Sequence, residues 1–102
     1  MSAVARYGKA VARPGQGDEL AGILLAAAED LGGNPGCELY LVSRPKGEPD
    51  VIWVTELWRS QADLDASLAQ IRGSDSVGRA MSLVESWDMI ELDLLGGKGP
   101  TP

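Results

Sequence analysis

Apolar and β-branched residues are grouped into four segments that predict β-strands. None of them contains proline, and Gly, Pro or Asp residues lie in most of the intervals between them. The segments are 4–12, 37–43, 51–58 and 87–95. In the third segment, Ile52 and Val54 alternate with Trp53 and Leu57, so both of its faces are largely apolar. Because such a strand needs cover on both sides, we expect it to be central in its sheet.

The interval between the first two strands has the spacing of a helix. It begins with the acidic pair at 18–19, which suits the positive end of a helix dipole. Its apolar residues then recur at i, i+4, i+7 and i+11, on one helical face. They are Leu20, Leu24, Ala27 and Leu31. The Gly- and Pro-rich run 32–36 ends the predicted helix.

A second helix is predicted directly after the third strand. Ser60 and Asp63 form a weak capping box at its start. Its apolar face is made of Leu64, Leu68 and Ile71, and the helix runs until Gly73. A further short helix is predicted within 74–85, from the helical spacing of Val77, Met81 and Val84.

The resulting order is β-α-β-β-α-β, which is the order of the ferredoxin-like fold in the α+β class. We expect a four-stranded antiparallel sheet with its helices on one face. Since one layer of helices covers only one of the two apolar faces, we expect a second copy of the chain to cover the other. The prediction is therefore a homodimer formed through the sheet face, with two-fold symmetry. Residues 1–95 are expected to form a single domain and 96–102 a flexible tail.

Composition and charge narrow the classes of partner and chemistry. A net charge of −6 argues against nucleic acid and anionic membranes as partners. No apolar run approaches the ~20 residues of a membrane helix. Cys37 is the single cysteine, and the N-terminus lacks the apolar core of a secretion signal, so we expect a cytoplasmic location. Histidine is absent, so no metal site and no His-activated nucleophile is expected.

Several short motifs give the chain a resemblance to a known family. They are Arg13-Pro14-Gly15, Pro35-Gly36-Cys37 with Tyr40, Glu56-Leu57-Trp58-Arg59-Ser60, and Ala62-Asp63-Leu64-Asp65-Ala66. In this order the motifs resemble the antibiotic biosynthesis monooxygenase (ABM) family of dimeric α+β barrels, over residues 4 to 95. The resemblance implies a pocket between sheet and helices. It also implies oxidation of a quinol, anthrone or similar polycyclic aromatic by O2 without a cofactor. Some relatives act in aromatic polyketide antibiotic pathways.

Two departures from the family pattern limit what the resemblance implies. Relatives that degrade haem carry an asparagine at the position matched to Gly8 and a histidine on the later helix. The glycine and the absence of histidine argue against haem degradation here. Many quinol-oxidising relatives also carry a histidine in the place of Ser67, so the identity of a general base stays open.

The resemblance places three candidate catalytic residues near the end of the third strand. Trp58 offers a flat face on which an aromatic substrate can stack. Glu56 lies on the same strand face and, if buried, becomes a base that works near neutral pH. Arg59 is a candidate for stabilising the substrate anion. Each residue also has a structural interpretation, as a packing indole, an ion-paired acid or a solvated surface charge.

The candidate substrate-binding residues extend this set to the first strand and the second helix. They are Arg6, Gly8, Trp58, Leu64 and Leu68. Arg6 is the alternative partner for a phenolate, because a guanidinium lowers the pKa of a nearby phenol. Gly8 has no side chain and would leave room for a ring.

Three functions remain open at the level of sequence. The first is a cofactor-free monooxygenase that uses a small aromatic substrate and O2. The second is a polyketide cyclase-like protein, which would use a similar pocket without O2. The third is a non-catalytic dimer that binds a small hydrophobic ligand.

Overall fold

The computed structural model describes residues 3–98 and has the predicted order of elements. The strands are β1 (Val4–Ala12), β2 (Cys37–Ser43), β3 (Val51–Trp58) and β4 (Val84–Asp93). The helices are α1 (Gly17–Asp30), α2 (Gln61–Ile71) and α3 (Asp75–Leu83), with a 3₁₀ turn at Leu31–Gly33. The α+β class and the ferredoxin-like architecture are confirmed. Residues 99–102 of the predicted tail lie outside the described range.

The four strands form one antiparallel sheet in the order β2-β3-β1-β4. The predicted central position of β3 is confirmed, because β3 pairs with both β1 and β2. Its register places Glu56 opposite Arg6 on β1 and opposite Tyr40 on β2. The register shifts once on each outer strand, between Cys37 and Leu39 and at the Val11–Ala12 step opposite β4.

The two faces of the sheet differ sharply in exposure. Along β3 the even positions from 52 to 58 are buried and the odd positions are half-buried. The buried face packs against the helices, since Leu20 of α1 clusters with Ile52, and Leu64 of α2 clusters with Trp58. The other face, which we call the open sheet face, is not covered by any helix of the described chain. It includes Tyr7, Lys9, Leu41, Trp53, Ile90 and Leu92.

The helix-covered layer contains two separate apolar clusters. The larger cluster lies under α1 and α3 and contains Ala10, Ala12, Leu20, Leu24, Ile52, Val54 and Val84. The smaller lies under α2 and contains Val4, Trp58 and Leu64. Burial of such side chains contributes roughly 1.5–3 kcal/mol each to the free energy of folding. The strand positions between the two clusters do not belong to either apolar core, so polar side chains can be placed there.

The predicted bounds around α3 and β4 are wrong, because β4 runs over Val84–Asp93 and not over 87–95. Val84 was assigned to the apolar face of the short helix, but it is the first residue of β4 and is buried opposite Ala12. Val77 and Met81 of that face are 36% and 53% exposed. α3 instead packs through other residues, Ala80 and Leu83.

None of the helices in the described range is long and apolar enough to cross a membrane.

Candidate active site

Four polar side chains lie in neighbouring strand positions between the two apolar clusters. They are Tyr40 on β2, Glu56 on β3, Arg6 on β1 and Glu91 on β4, and we call them the polar row. Strand alternation puts the row on the helix-covered face. Glu56 is only 4% exposed. A buried acid beside an arginine within an apolar layer is a candidate functional site on physical grounds.

The carboxylate of Glu56 has two partners among the described residues, Arg6 within the row and Trp58 outside it. Its Oε1 accepts a hydrogen bond of 2.8 Å from the indole Nε1 of Trp58. The same oxygen lies 3.6 Å from Nη1 of Arg6, as an ion pair. Burial raises the pKa of Glu56 above its ordinary value, and the indole N–H and the guanidinium only partly offset this effect. The carboxyl group therefore keeps its proton to a higher pH than a solvated glutamate does.

Arg6 keeps hydrogen-bonding capacity that the described residues do not use. Its side chain is 15% exposed. Its Nε is buried and has no hydrogen-bond partner among the described residues. At 3.6 Å, the contact of Nη1 with Glu56 is also longer than a good N–H···O bond. A buried N–H donor without an acceptor lowers the stability of the fold. An anionic or carbonyl oxygen that accepts a hydrogen bond from this guanidinium would remove that cost.

Tyr40 adds a hydroxyl at the β2 side of Glu56. Burial, followed by the negative charge of Glu56, raises the pKa of Tyr40 to about 12, against a smaller opposite effect of Arg6. The phenol therefore stays protonated and remains a hydrogen-bond donor at neutral pH. An open depression of about 260 Å³ lies beside it, between the end of α1 and β2, and Leu31 and Cys37 also line it.

The indole of Trp58 is enclosed rather than open to a ligand. Trp58 is 2% exposed and clusters with Val4 and Leu64, with Leu68 packed beside them. Within residues 3–98, the polar contact of its indole is the bond from Nε1 to Glu56. In this conformation the side chain orients the carboxylate, and Leu64 and Leu68 form the cover over it. Ser67 lies on the same buried side of α2.

Arg59 is not part of this constellation. Its side chain is 51% exposed. Nε and Nη2 donate to the two carboxylate oxygens of Asp63, at 2.9 and 3.2 Å. These hydrogen bonds hold the pKa of Asp63 below its ordinary value. The structure therefore brings Arg6, Glu56 and Trp58 together and leaves Arg59 on the surface, where it supports the first turn of α2.

Gly8 lies next to the polar row, but the space above it is occupied. It is buried on the same face of β1 as Arg6, opposite Met89 of β4. A Cβ atom at Gly8 would lie 2.6 Å from Cε and 2.8 Å from Sδ of Met89. The room expected over this glycine is thus taken by a thioether.

Three residues of the site are not in the set predicted from sequence. Tyr40 was named only as part of a family motif, and Met89 and Glu91 were given no role in the site. The signal that unites them is strand register, because all three lie on β2 or β4 beside Arg6, Glu56 or Gly8. Within residues 3–98, no three His, Cys, Asp or Glu side chains gather in a way that would hold a metal ion.

Comparison with known proteins places the chain in a family. The profile of the antibiotic biosynthesis monooxygenases matches residues 4–71. The chain belongs to this family. A candidate antibiotic biosynthesis monooxygenase of Chloroflexus aurantiacus is 34% identical, with 96% of this chain and 98% of that chain covered and a TM-score of 0.81.

A second relative supports the fold alone. A candidate antibiotic biosynthesis monooxygenase of Deinococcus radiodurans is 21% identical, with 97% of this chain and 99% of that chain covered and a TM-score of 0.82. No curated protein matches the chain.

Proposed function

We propose that this ABM-family protein is a cofactor-independent monooxygenase that oxidises a quinol, anthrone or similar aromatic with O2. Family membership and the Chloroflexus relative support a general monooxygenase-like role. The observation that carries the finer proposal is the buried pair of Arg6 and Glu56, in which the arginine keeps an unpaired Nε donor. Phenolic intermediates of aromatic polyketide antibiotics belong to this chemical class.

The first step of the proposed reaction is removal of a proton from the substrate. A phenolic or enolic oxygen on the guanidinium of Arg6 has its pKa lowered, because the positive charge stabilises the anion. Glu56 is the base within reach of that position. Its raised pKa makes it a stronger base than a solvated glutamate, and Trp58 fixes the orientation of its carboxylate.

The second step consumes O2 and balances without an external reductant. The substrate anion gives one electron to O2, and the resulting carbon radical and superoxide combine into a peroxide. At the CH₂ carbon of an anthrone, the O–O bond then breaks, one oxygen stays as the new carbonyl and the other leaves as water with the two hydrogens. The protein contributes by holding the anion and by excluding bulk water under α2.

A homodimer through the open sheet face is part of this proposal. Tyr7, Leu41, Ile90 and Leu92 on this face are each more than 40% exposed, which is unusual for a face of neighbouring apolar side chains. The rings of Tyr7 and Trp53 stack there at 5.1 Å. Proteins of this family are typically dimeric, and a second copy of the chain would cover the exposed apolar side chains of this face.

The test is O2 consumption by the metal-stripped protein with naphthohydroquinones and anthrones, corrected for spontaneous oxidation. Arg6→Gln removes the charge of the proposed anchor, and we expect at least a tenfold loss of kcat/KM. Arg59→Gln is the matched control, because its guanidinium is exposed and bound to Asp63, and it should keep the wild-type rate within about twofold.

Two further variants separate catalysis from binding. Glu56→Gln and Trp58→Ala, if still folded, should lower O2 uptake more than they lower ligand affinity. No O2 uptake by the wild type, together with tight binding of the same aromatics, would instead assign the protein to the cyclase-like or ligand-binding class.

A further inference from the structure

The methionine that covers Gly8 lies where the polar row meets the larger apolar cluster. Gly8 follows Arg6 by two residues on the same face of β1, and Met89 is its register partner on β4. The thioether rests directly on the glycine, since a Cβ there would come within 2.6 Å of Cε. Any larger residue at position 8 would push this side chain away. Met89 can therefore take this position only because residue 8 has no side chain.

Met89 differs from the core residues around it. Neither apolar cluster of the described chain includes it, and its side chain is only half-buried. Two other residues on this face beside Gly8, Val54 of β3 and Ala10 of β1, are each 1% exposed. Methionine is unbranched and rotates about three side-chain bonds, and its sulfur makes favourable contacts with aromatic rings. Met89 can thus move outward at small cost, whereas Val54 and Ala10 cannot.

We propose that Met89 is a displaceable plug that determines which substrates the site accepts. The ring of the substrate takes the place of the thioether over Gly8, and its hydroxyl oxygen binds the guanidinium of Arg6. This inference rests on the proposed function and narrows its substrate class.

The space over Gly8 that Met89 would vacate, together with the place beside Arg6, forms a slot along β1. The length of this slot sets the size of the substrate. Arg6 and Gly8 are two residues apart, which is roughly 6.8 Å along a strand. The next position on this face is Ala10, which is enclosed in the larger cluster. The slot therefore suits a hydroxylated aromatic of one or two fused rings, such as a naphthohydroquinone. Because Ala10 closes the slot along β1, the third ring of an anthrone would need the space to which the displaced Met89 side chain moves.

Binding of two stable phenols under anaerobic conditions tests this without turnover. The probes are 2-naphthol and 2-anthrol, which differ by one ring. We expect the wild type to bind 2-naphthol at least tenfold more tightly than 2-anthrol. Hydrophobicity alone would favour 2-anthrol, which has one more ring. Met89→Ala should bring the two affinities within about twofold, by admitting the third ring. Met81→Ala, at an exposed methionine of α3, should keep the wild-type ratio.

A variant at Gly8 should act in the opposite direction. Gly8→Ala fills the slot from the strand side, and we expect it to weaken binding of both probes at least tenfold. Met89→Leu keeps the side-chain size but is stiffer, so it should still exclude 2-anthrol and weaken 2-naphthol. These two variants decide the question if Met89→Ala does not fold, with circular dichroism as the check on each.

Methionine methyl NMR provides a readout that does not depend on activity. The chain has three methionines, and the signal of Met89 is assigned by its absence in Met89→Leu. Addition of 2-naphthol to the wild type should shift the Met89 methyl and leave that of Met81 in place.

The plug and the proposed function fail in different ways. A wild type that consumes O2 or binds 2-naphthol, with an unmoved Met89 methyl and an unchanged ratio in Met89→Ala, overturns the plug and leaves the function standing. A protein that binds neither probe, in any folded variant, and consumes no O2 overturns both.

Discussion

Glu56 is a carboxyl group that the fold encloses beside one guanidinium and one indole N–H. Its raised pKa has a consequence for stability, because the unfolded chain releases this proton near pH 4.5, whereas the folded chain keeps it to a higher pH. The contribution of Glu56 to the free energy of unfolding therefore falls as the pH rises from about 4.5 to the raised pKa.

Glu56→Gln removes this titration while keeping an oxygen that can accept from Trp58. We expect the stability of the variant, relative to wild type, to increase as the pH rises through that window. Urea unfolding at a series of pH values measures the difference. Glu48→Gln, at an exposed position of the β2–β3 loop, is the control and should show no comparable trend. A pH-independent difference for Glu56→Gln would contradict the burial argument.

Trp58 combines a buried ring with the hydrogen bond that orients Glu56. Trp58→Phe should cost about 2–3 kcal/mol of unfolding free energy, because it leaves a cavity and removes a bond to a carboxylate. It should also extend the Glu56 titration to higher pH, since the indole N–H lowers that pKa. Trp87→Phe, at a half-buried tryptophan packed against the larger cluster, is the matched variant. Equal losses for the two variants would mean that the bond to Glu56 contributes nothing.

At the scale of elements, the sequence predicts β1, β2 and β3 with the bounds seen in the structure, because turn residues flank strongly β-forming runs. The start of β4 was misplaced, since Val84 continues the helical spacing of Val77 and Met81 while pairing with Ala12 across a shifted register. The register between strands that are distant in sequence cannot be predicted from the local pattern of apolar residues. For the same reason Tyr40 and Met89 were not assigned to the site, whereas Arg6 and Glu56 were named as candidates after the family resemblance.

The N-terminal cap of α2 supports the cover over Trp58. Oγ of Ser60 accepts from the backbone N–H of Asp63 at 3.1 Å and donates to the carboxylate of Asp63 at 2.8 Å. Ser60→Ala should lower the unfolding free energy by about 1 kcal/mol. Because α2 carries Leu64, amide hydrogen exchange in its first turn should accelerate as well. Ser76→Ala, at an exposed serine in the first turn of α3, should change stability by less than about 0.5 kcal/mol. A cap variant with unchanged exchange would show that packing alone fixes this end of α2.

At the scale of the whole molecule, a four-stranded sheet with helices on one side leaves its second apolar face to be covered from outside the chain. The polar row and the open sheet face lie on opposite sides of the same strands, so Glu56 and its neighbours Thr55 and Leu57 point in opposite directions. If a second copy covers the open sheet face, as we propose, substitutions there should change assembly without touching the polar row. This separation makes the dimer and the site independently testable.

Leu41 and Ile90 are well suited to test assembly, because they are apolar and 51% and 54% exposed. They lie on the open sheet face of the two edge strands, β2 and β4. We expect the wild type to sediment at twice the 10.7 kDa mass of one chain. Leu41→Lys combined with Ile90→Lys should yield monomers at micromolar concentration, since burying two ammonium groups against an apolar partner face costs several kcal/mol. Leu25→Lys, at a leucine of α1 that is 53% exposed on the helix side, is the matched control and should leave the dimer intact. A double variant that still sediments as a dimer would place the interface elsewhere, and an assembly sensitive to Leu25→Lys would place it on the helices.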